Sequence, residues 1–351
     1  MINVHPSCGR LPQGVPVVLA HGGNDASYPA SRESLEALAA SASPNHCFLL
    51  YSGDSGQLGT GQKSRVGDGH RMDSLLLHDC LPRLIDAALG ADGPELHFMR
   101  TWRERLTTER LEAERSLGLT PEELRRFWAS PGRKGLGDRR LFQVSAGGEE
   151  FQWVCRLFQA LPLERQTYQL SPEEAWAQVR IVDVQRVENG LQLEGSTKPY
   201  HDALCRALQD QGVGLEPGVH TCWAFHGCGA DASVMDSIVG NPIAGFQPLA
   251  SGSRGASLWG TGTYFAREAK YVVDGGFCGA PGAGGSRRVL LCLLQLGTPC
   301  LGDPRHRGVL PLRPAVAPHR YSSSVDSLSS PEIFITQHHG AAHPAYVITF
   351  R

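Results

Sequence analysis

Apolar and polar residues follow two different rhythms along this chain. VPVVLAH (15–21) and HCFLLYS (46–52) are short apolar runs that end in glycine or serine, which predicts strands. SRESLEALAAS (31–41), with Ser31 as N-cap, and MDSLLLHDCLPRLIDAALG (72–90), closed by Gly90, space their apolar residues for helices. ELHFM (95–99) reads as a third strand. Alternation of this kind predicts an α/β region, with a parallel sheet as one arrangement. The next stretch, RTWRERLTTERLEAERSLGLTPEELRRFW (100–128), is helical and charged. Its bases alternate with acids, so it reads as a solvated hairpin broken at Gly118 and Pro121.

SPGRKGLGDRR (130–140) has the composition of a linker, and the domain boundary is expected there. The second half opens on a helix, EEFQWVCRLFQAL (149–161), and then turns strand-rich: VRIVDVQRV (179–187), HTCWAFHG (220–227), RRVLLCLLQLG (287–297), PEIFIT (331–336) and AYVITF (345–350). The expected organisation is an unassigned α/β region over 1–140, including the charged segment 100–128, followed by an α+β domain over 148–351. No internal repeat is visible.

Composition narrows the function classes. A chain of 351 residues exceeds one typical core. Its 33 Lys and Arg against 35 Asp and Glu leave a formal charge of −2, which gives no bulk signal for nucleic acid or a membrane surface. There are 10 cysteines and no CxxC pair; the ones inside apolar runs, such as Cys292, read as buried thiols of an intracellular protein. MINVHPSCGRLPQG lacks the basic and apolar regions of a secretory leader, and no apolar run reaches membrane-spanning length, so cytoplasm or nucleus is the expected compartment.

Three motifs have bland explanations. Gly-Asp-Ser-Gly around Ser55 fits a glycine-rich turn better than a protease nucleophile, because it follows a strand in an α/β segment. His21-Gly22-Gly23 reads as a structural turn, since neither a nucleophile elbow nor a P-loop accompanies it. His338, His339 and His343 lack cysteine or carboxylate at ligand spacing, so no metal is expected.

The informative constellation is an ordered set. WAFHGC (223–228) is an apolar strand ending in His226-Gly227, and WGTGTYFA (259–266) sets small residues before an aromatic pair. Glycine permits close backbone approach and an aromatic face receives a flat group. RYSSSVDSLSSPEIFITQ and HPAYVITF follow. Strand-FHG, GTYFA, Y-S-x-x-V-D, P-E-I-F and A-Y-V-I-T-F, in that order, resemble the catalytic domain of poly(ADP-ribose) polymerase-like ADP-ribosyltransferases. The likeness extends back through VRIVDVQRVENGLQL to EEFQWVCRLF and covers about 148–351.

The resemblance implies a mixed, mainly antiparallel split sheet with flanking helices, and NAD as co-substrate. His226 would bond the adenosine ribose, and the backbone of Gly227 would clamp the nicotinamide carboxamide. Gly262, Tyr264, Phe265 and Ala266 would line the nicotinamide pocket. ADP-ribose would pass to an acceptor, expected to be a protein, with nicotinamide released. At the third motif position polymerising members carry glutamate and single-transfer members an apolar residue. An ungapped count back from Tyr346 puts Ile333 there; a one-residue insertion puts Glu332 there instead. Neighbouring strand residues face opposite sides, so only one of them points into the cleft. Ile333 implies mono-ADP-ribosylation.

The chain departs from the family at two places. A serine that holds the nicotinamide amide and a ring that stacks on it fall here on Val272 and Gly275, with Tyr271 and Phe277 nearby to supply a ring. Those changes keep a second reading open: a non-catalytic relative retained as an interaction module. A hydrolase using Ser55 is a distant third.

Overall fold

The computed structural model describes residues 18–22, 47–51, 94–129, 139–162, 171–229, 231–249, 258–313, 318–328 and 330–351. The expected helices over 31–41 and 72–90, and Ser55, lie outside them. The chain divides into two compact units, Met1–Phe98 and Met99–Arg351. In the first, β1 (Val18–Gly22) and β2 (Cys47–Tyr51) pair in parallel, from Val18 opposite Cys47 to Gly22 opposite Tyr51.

The expected strand over 95–99 is instead the start of a helix, α1 (Pro94–Glu104). A five-residue window hides the period, but its continuation reveals it. Met99, Trp102 and Leu106 are buried at spacings of three and four, and Pro94 occupies a first helical position, where its missing N–H costs nothing. Two further helices follow: α2 (Thr108–Leu117), capped by Thr107, and α3 (Pro121–Leu124), opened by a Thr120–Glu123 capping box. Gly118 ends α2 at φ +96°, with the Glu123 side chain too close to admit a Cβ.

These helices are not a solvated hairpin. Ala113, Leu117, Leu124 and Trp128 join Val154, Leu157 and Phe158 of α4 (Glu149–Gln159) in the main core, so the segment packs in the same unit as 149–351. The indole of Trp223 donates to the carbonyls of Glu114 (3.3 Å) and Gly118 (2.8 Å). Compactness therefore begins well before the linker-like stretch at 130–140, part of which is itself a strand, β3 (Arg139–Gln143).

The second unit is α+β, built on one nine-stranded sheet. After β3 come β4 (Ile181–Asn189), β5 (Thr221–His226), β6 (Thr263–Ala266), β7 (Arg287–Gln295), β8 (Pro299–Leu301), β9 (Ser323–Val325), β10 (Ile333–Thr336) and β11 (Ala342–Phe350). Their spatial order is β3-β4-β11-β7-β5-β6-β10-β9-β8, antiparallel throughout except for β8 with β9. Central β7 is covered on both faces, and Val289 through Leu294 are fully buried, which explains a run of apolar residues without alternation. Helices flank the sheet, and the order of strands brings the ends of β5, β6 and β10 together.

Candidate functional site

His226 ends β5, where a strand of five buried residues reaches the surface. Its Nδ1 lies 2.8 Å from the carbonyl oxygen of Tyr264 on β6. A carbonyl only accepts, so Nδ1 carries the proton and the Nε2 lone pair is left to accept a hydrogen bond. Burial pushes the imidazole below its ordinary pKa, although its bond to Tyr264 opposes this, and the ring is neutral near pH 7. Phe246 and Phe265 support the ring at centroid distances of 5.2 and 5.3 Å.

Gly227 follows. A Cβ there would stand 2.5 Å from the Phe277 carbonyl oxygen, so only glycine fits. Phe277 also receives the Gly229 amide at 2.7 Å, which ties the loop after α5 (Ala269–Asp274) to the FHG strand end. The phenol of Tyr264 is held by its own turn: it donates to the Gly260 carbonyl (2.6 Å) and accepts from the Trp259 amide (3.2 Å). Gly260 adopts φ +101°, the left-handed region that such a turn requires. Gly262 lies against β10, where a Cβ would meet Ile335 at 2.5 Å. The glycines of WGTGTYFA thus serve the approach of strand to strand and the turn around Tyr264.

Register decides which neighbours share a face. Ile333 stands opposite Ala266, and Ile335 opposite Tyr264. Ile333, Ala266 and Tyr264 therefore project from one face, and Phe334 and Phe265 from the other. Phe334 packs edge-on against Trp102 of α1, so helices cover that second face. By the same alternation Glu332 leans toward the helix-covered side. Phe265 and Ala266 are almost fully buried, Phe265 against the His226 ring and Ala266 on the Tyr264 face.

The rim past α5 also becomes concrete. Val272 is buried in the core and carries no hydroxyl. The Phe277 ring fills the space a side chain at Gly275 would take, since a Cβ there would lie 2.3 Å from Phe277 Cε2. Phe277 is 40% exposed and stacks on Tyr271, with centroids 5.8 Å apart at 24°. An aromatic pair is therefore present two residues beyond the position that spacing alone indicates.

A buried charge network behind β6 and β10 was not foreseen from the sequence. Arg110 bonds Glu114 (3.1 Å) and Glu268 (2.7 Å), Arg103 bonds Glu114 (2.7 Å), and Arg267 bonds Glu268 (2.7 Å). The guanidinium groups of Arg103 and Arg267 lie over Trp102. The only sequence signal was the alternation of bases and acids in 100–128, which reads equally well as solvated. Among the described residues no three His, Cys, Asp or Glu side chains cluster as metal ligands, and no helix is long and apolar enough to cross a membrane.

Glu332 is half-buried, and its Oε2 has no partner among the described residues. Desolvation pushes its pKa up to about 7, helped by the Asp326 and Glu268 carboxylates and opposed by Arg267. Between an unfolded value of about 4.3 and this raised value the fold holds more protons than the unfolded chain, so stability falls as pH rises through that window. Glu332→Gln is therefore expected to raise the melting temperature by about 2 °C at pH 8, with the gain shrinking below pH 7 and vanishing near pH 4. Melting curves across that range check it.

No protein-family model matches the chain. Over 210 residues it is 28% identical to the protein mono-ADP-ribosyltransferase PARP10 of Mus musculus, an alignment covering 60% of this chain and 19% of that protein. The chain thus aligns with less than a quarter of that relative's length, and its similarity to this mono-ADP-ribosyltransferase is a distant one.

Proposed function

We propose that this protein transfers a single ADP-ribose from NAD to an acceptor, a protein side chain by preference, and releases nicotinamide. The observation that carries the reading is the junction of β5, β6 and β10. There a neutral His226 is bonded to the Tyr264 carbonyl, while Ile333 shares the Tyr264 face. In this reading the Nε2 of His226 accepts from a hydroxyl of the adenosine ribose. The backbone of Gly227 meets the carboxamide edge of nicotinamide, and Tyr264, with the Phe277–Tyr271 pair, borders its planar ring.

The reaction breaks the bond between the nicotinamide nitrogen and C1″ of the ribose. The nitrogen keeps the electron pair and departs as neutral nicotinamide. Positive charge develops on the ribose, and the acceptor's lone pair closes onto C1″. The protein contributes orientation and a fixed polar environment for that charge. With Ile333 on the Tyr264 face, β10 offers an apolar side chain and not a carboxylate at that register position to activate an incoming ribose hydroxyl as general base, which favours one transfer over chain growth.

The test is incubation of the full chain with labelled NAD, alone and with a cell extract, followed by gel and intact-mass analysis. Discrete additions of one ADP-ribose support the reading. A polymer ladder would place Glu332 in the cleft. Absence of both transfer and NAD binding would favour the interaction module, which the hydroxyl-free Val272 already suggests.

A further inference from the structure

We propose that Asp326 and Arg267 are positioning residues that lock the register of β10, and so determine that Ile333 and not Glu332 faces the Tyr264 side. This rests on the reading of that side as the transfer cleft. Five hydrogen bonds converge on residues 331–333. One carboxylate oxygen of Asp326 accepts from the amides of both Glu332 and Ile333, each at 3.0 Å. The Arg267 amide donates to the Glu332 carbonyl at 2.8 Å, and its Nη1 donates to the Pro331 carbonyl at 2.9 Å. The Asp326 amide also reaches the Ile333 carbonyl at 3.3 Å.

Two side chains of opposite sign thus hold the entry to β10 from its two sides. Neither is free to drift. Arg267 is 1% exposed and is pinned by Glu268, which Arg110 holds in turn. Asp326 directly follows β9, the hydrogen-bonded neighbour of β10.

A lock is needed at this point in the chain. β10 is four residues long, and a connection running from Asp326 to Glu332 joins it to β9. A short strand behind such a connection is poorly fixed by its loop, and a slip of one residue exchanges the faces of every side chain. Here that slip would bury Ile333 toward the helices and turn Glu332 into the cleft. Phe334 against Trp102 resists it from one side; the clamp at 331–333 resists it at the entry itself.

The test compares Asp326→Ala with Asp326→Asn in the full chain. Asparagine keeps an oxygen that accepts from both amides. Amide exchange followed by NMR is expected to speed up about 100-fold at Glu332 and Ile333 in the alanine variant, while Phe334 to Thr336 stay within about 3-fold of the parent. The asparagine variant is expected to stay within about 10-fold at all five amides. In the transfer assay, alanine should lower kcat about 10-fold with the KM for NAD little changed, and asparagine should restore most of the loss. Unchanged exchange at Glu332 and Ile333, loss of protection along the whole strand, or asparagine as damaging as alanine would each overturn the clamp. If the parent protein transfers nothing, the functional proposal fails, and the exchange experiment still decides whether Asp326 locks the strand.

Discussion

His226→Ala is expected to lower ADP-ribose transfer by about 100-fold or more while the protein stays folded. On the proposed assignment the substitution removes the Nε2 acceptor for the adenosine ribose. It also removes the Nδ1–H that holds the Tyr264 carbonyl, so the two motif residues lose their mutual alignment. The ring is only half-buried, and Phe246 and Phe265 pack on each other at 5.1 Å without it, so the structural loss should be small. Calorimetric titration with NAD and single-turnover transfer would measure the effect, with a melting curve as the control for folding. Wild-type activity in the alanine protein would remove His226 from the mechanism. Gly227→Ala offers a companion: its Cβ would press on the Phe277 carbonyl and displace the loop that carries the aromatic pair, so NAD affinity should fall although His226 is intact.

The second large effect is on stability. Glu268→Ala is expected to cost about 3–5 kcal/mol, because it leaves Arg267 buried without its carboxylate partner. Arg110 would retain Glu114, but would share that one carboxylate with Arg103. Denaturant unfolding followed by tryptophan fluorescence is the measurement, since Trp102 lies beneath two of those guanidinium groups and reports on them directly. A loss below about 1 kcal/mol would mean that water reaches the network. The same variant should impair transfer beyond what its stability explains, because Arg267 also holds the Pro331 carbonyl at the entry to β10.

Strands that are covered on both faces or end abruptly in glycine were readable from the chain alone. β7 shows the uninterrupted apolar run VLLCLL, and β5 stops at His226-Gly227 as its composition suggests. The parallel pairing of β1 with β2 is the arrangement that the alternation of strand and helix allowed. The helical stretch 100–128 was read correctly as helix but wrongly as solvated, for a physical reason: a buried ion-pair network and a solvated face share one composition, and only the partners, Glu268 and Arg267 in a distant segment, distinguish them. Phe277 escaped a fixed count because α5 and the turn after it set the ring's position, not the number of residues from Tyr264. Asp326 was visible as a motif residue without a role, since the amides it serves lie six and seven residues further along the chain.

The inclusion of α2 and α3 in the same core as the sheet bears on where this chain can be divided. A cut near residue 140, where composition changes, would remove the two carbonyls that receive the Trp223 indole and the helix that shields Phe334. It would also leave Glu268 facing the solvent side of a vanished Arg110. The smallest portion able to hold the β5–β6–β10 junction in shape therefore starts with α1, and a shorter fragment would expose the underside of its own site.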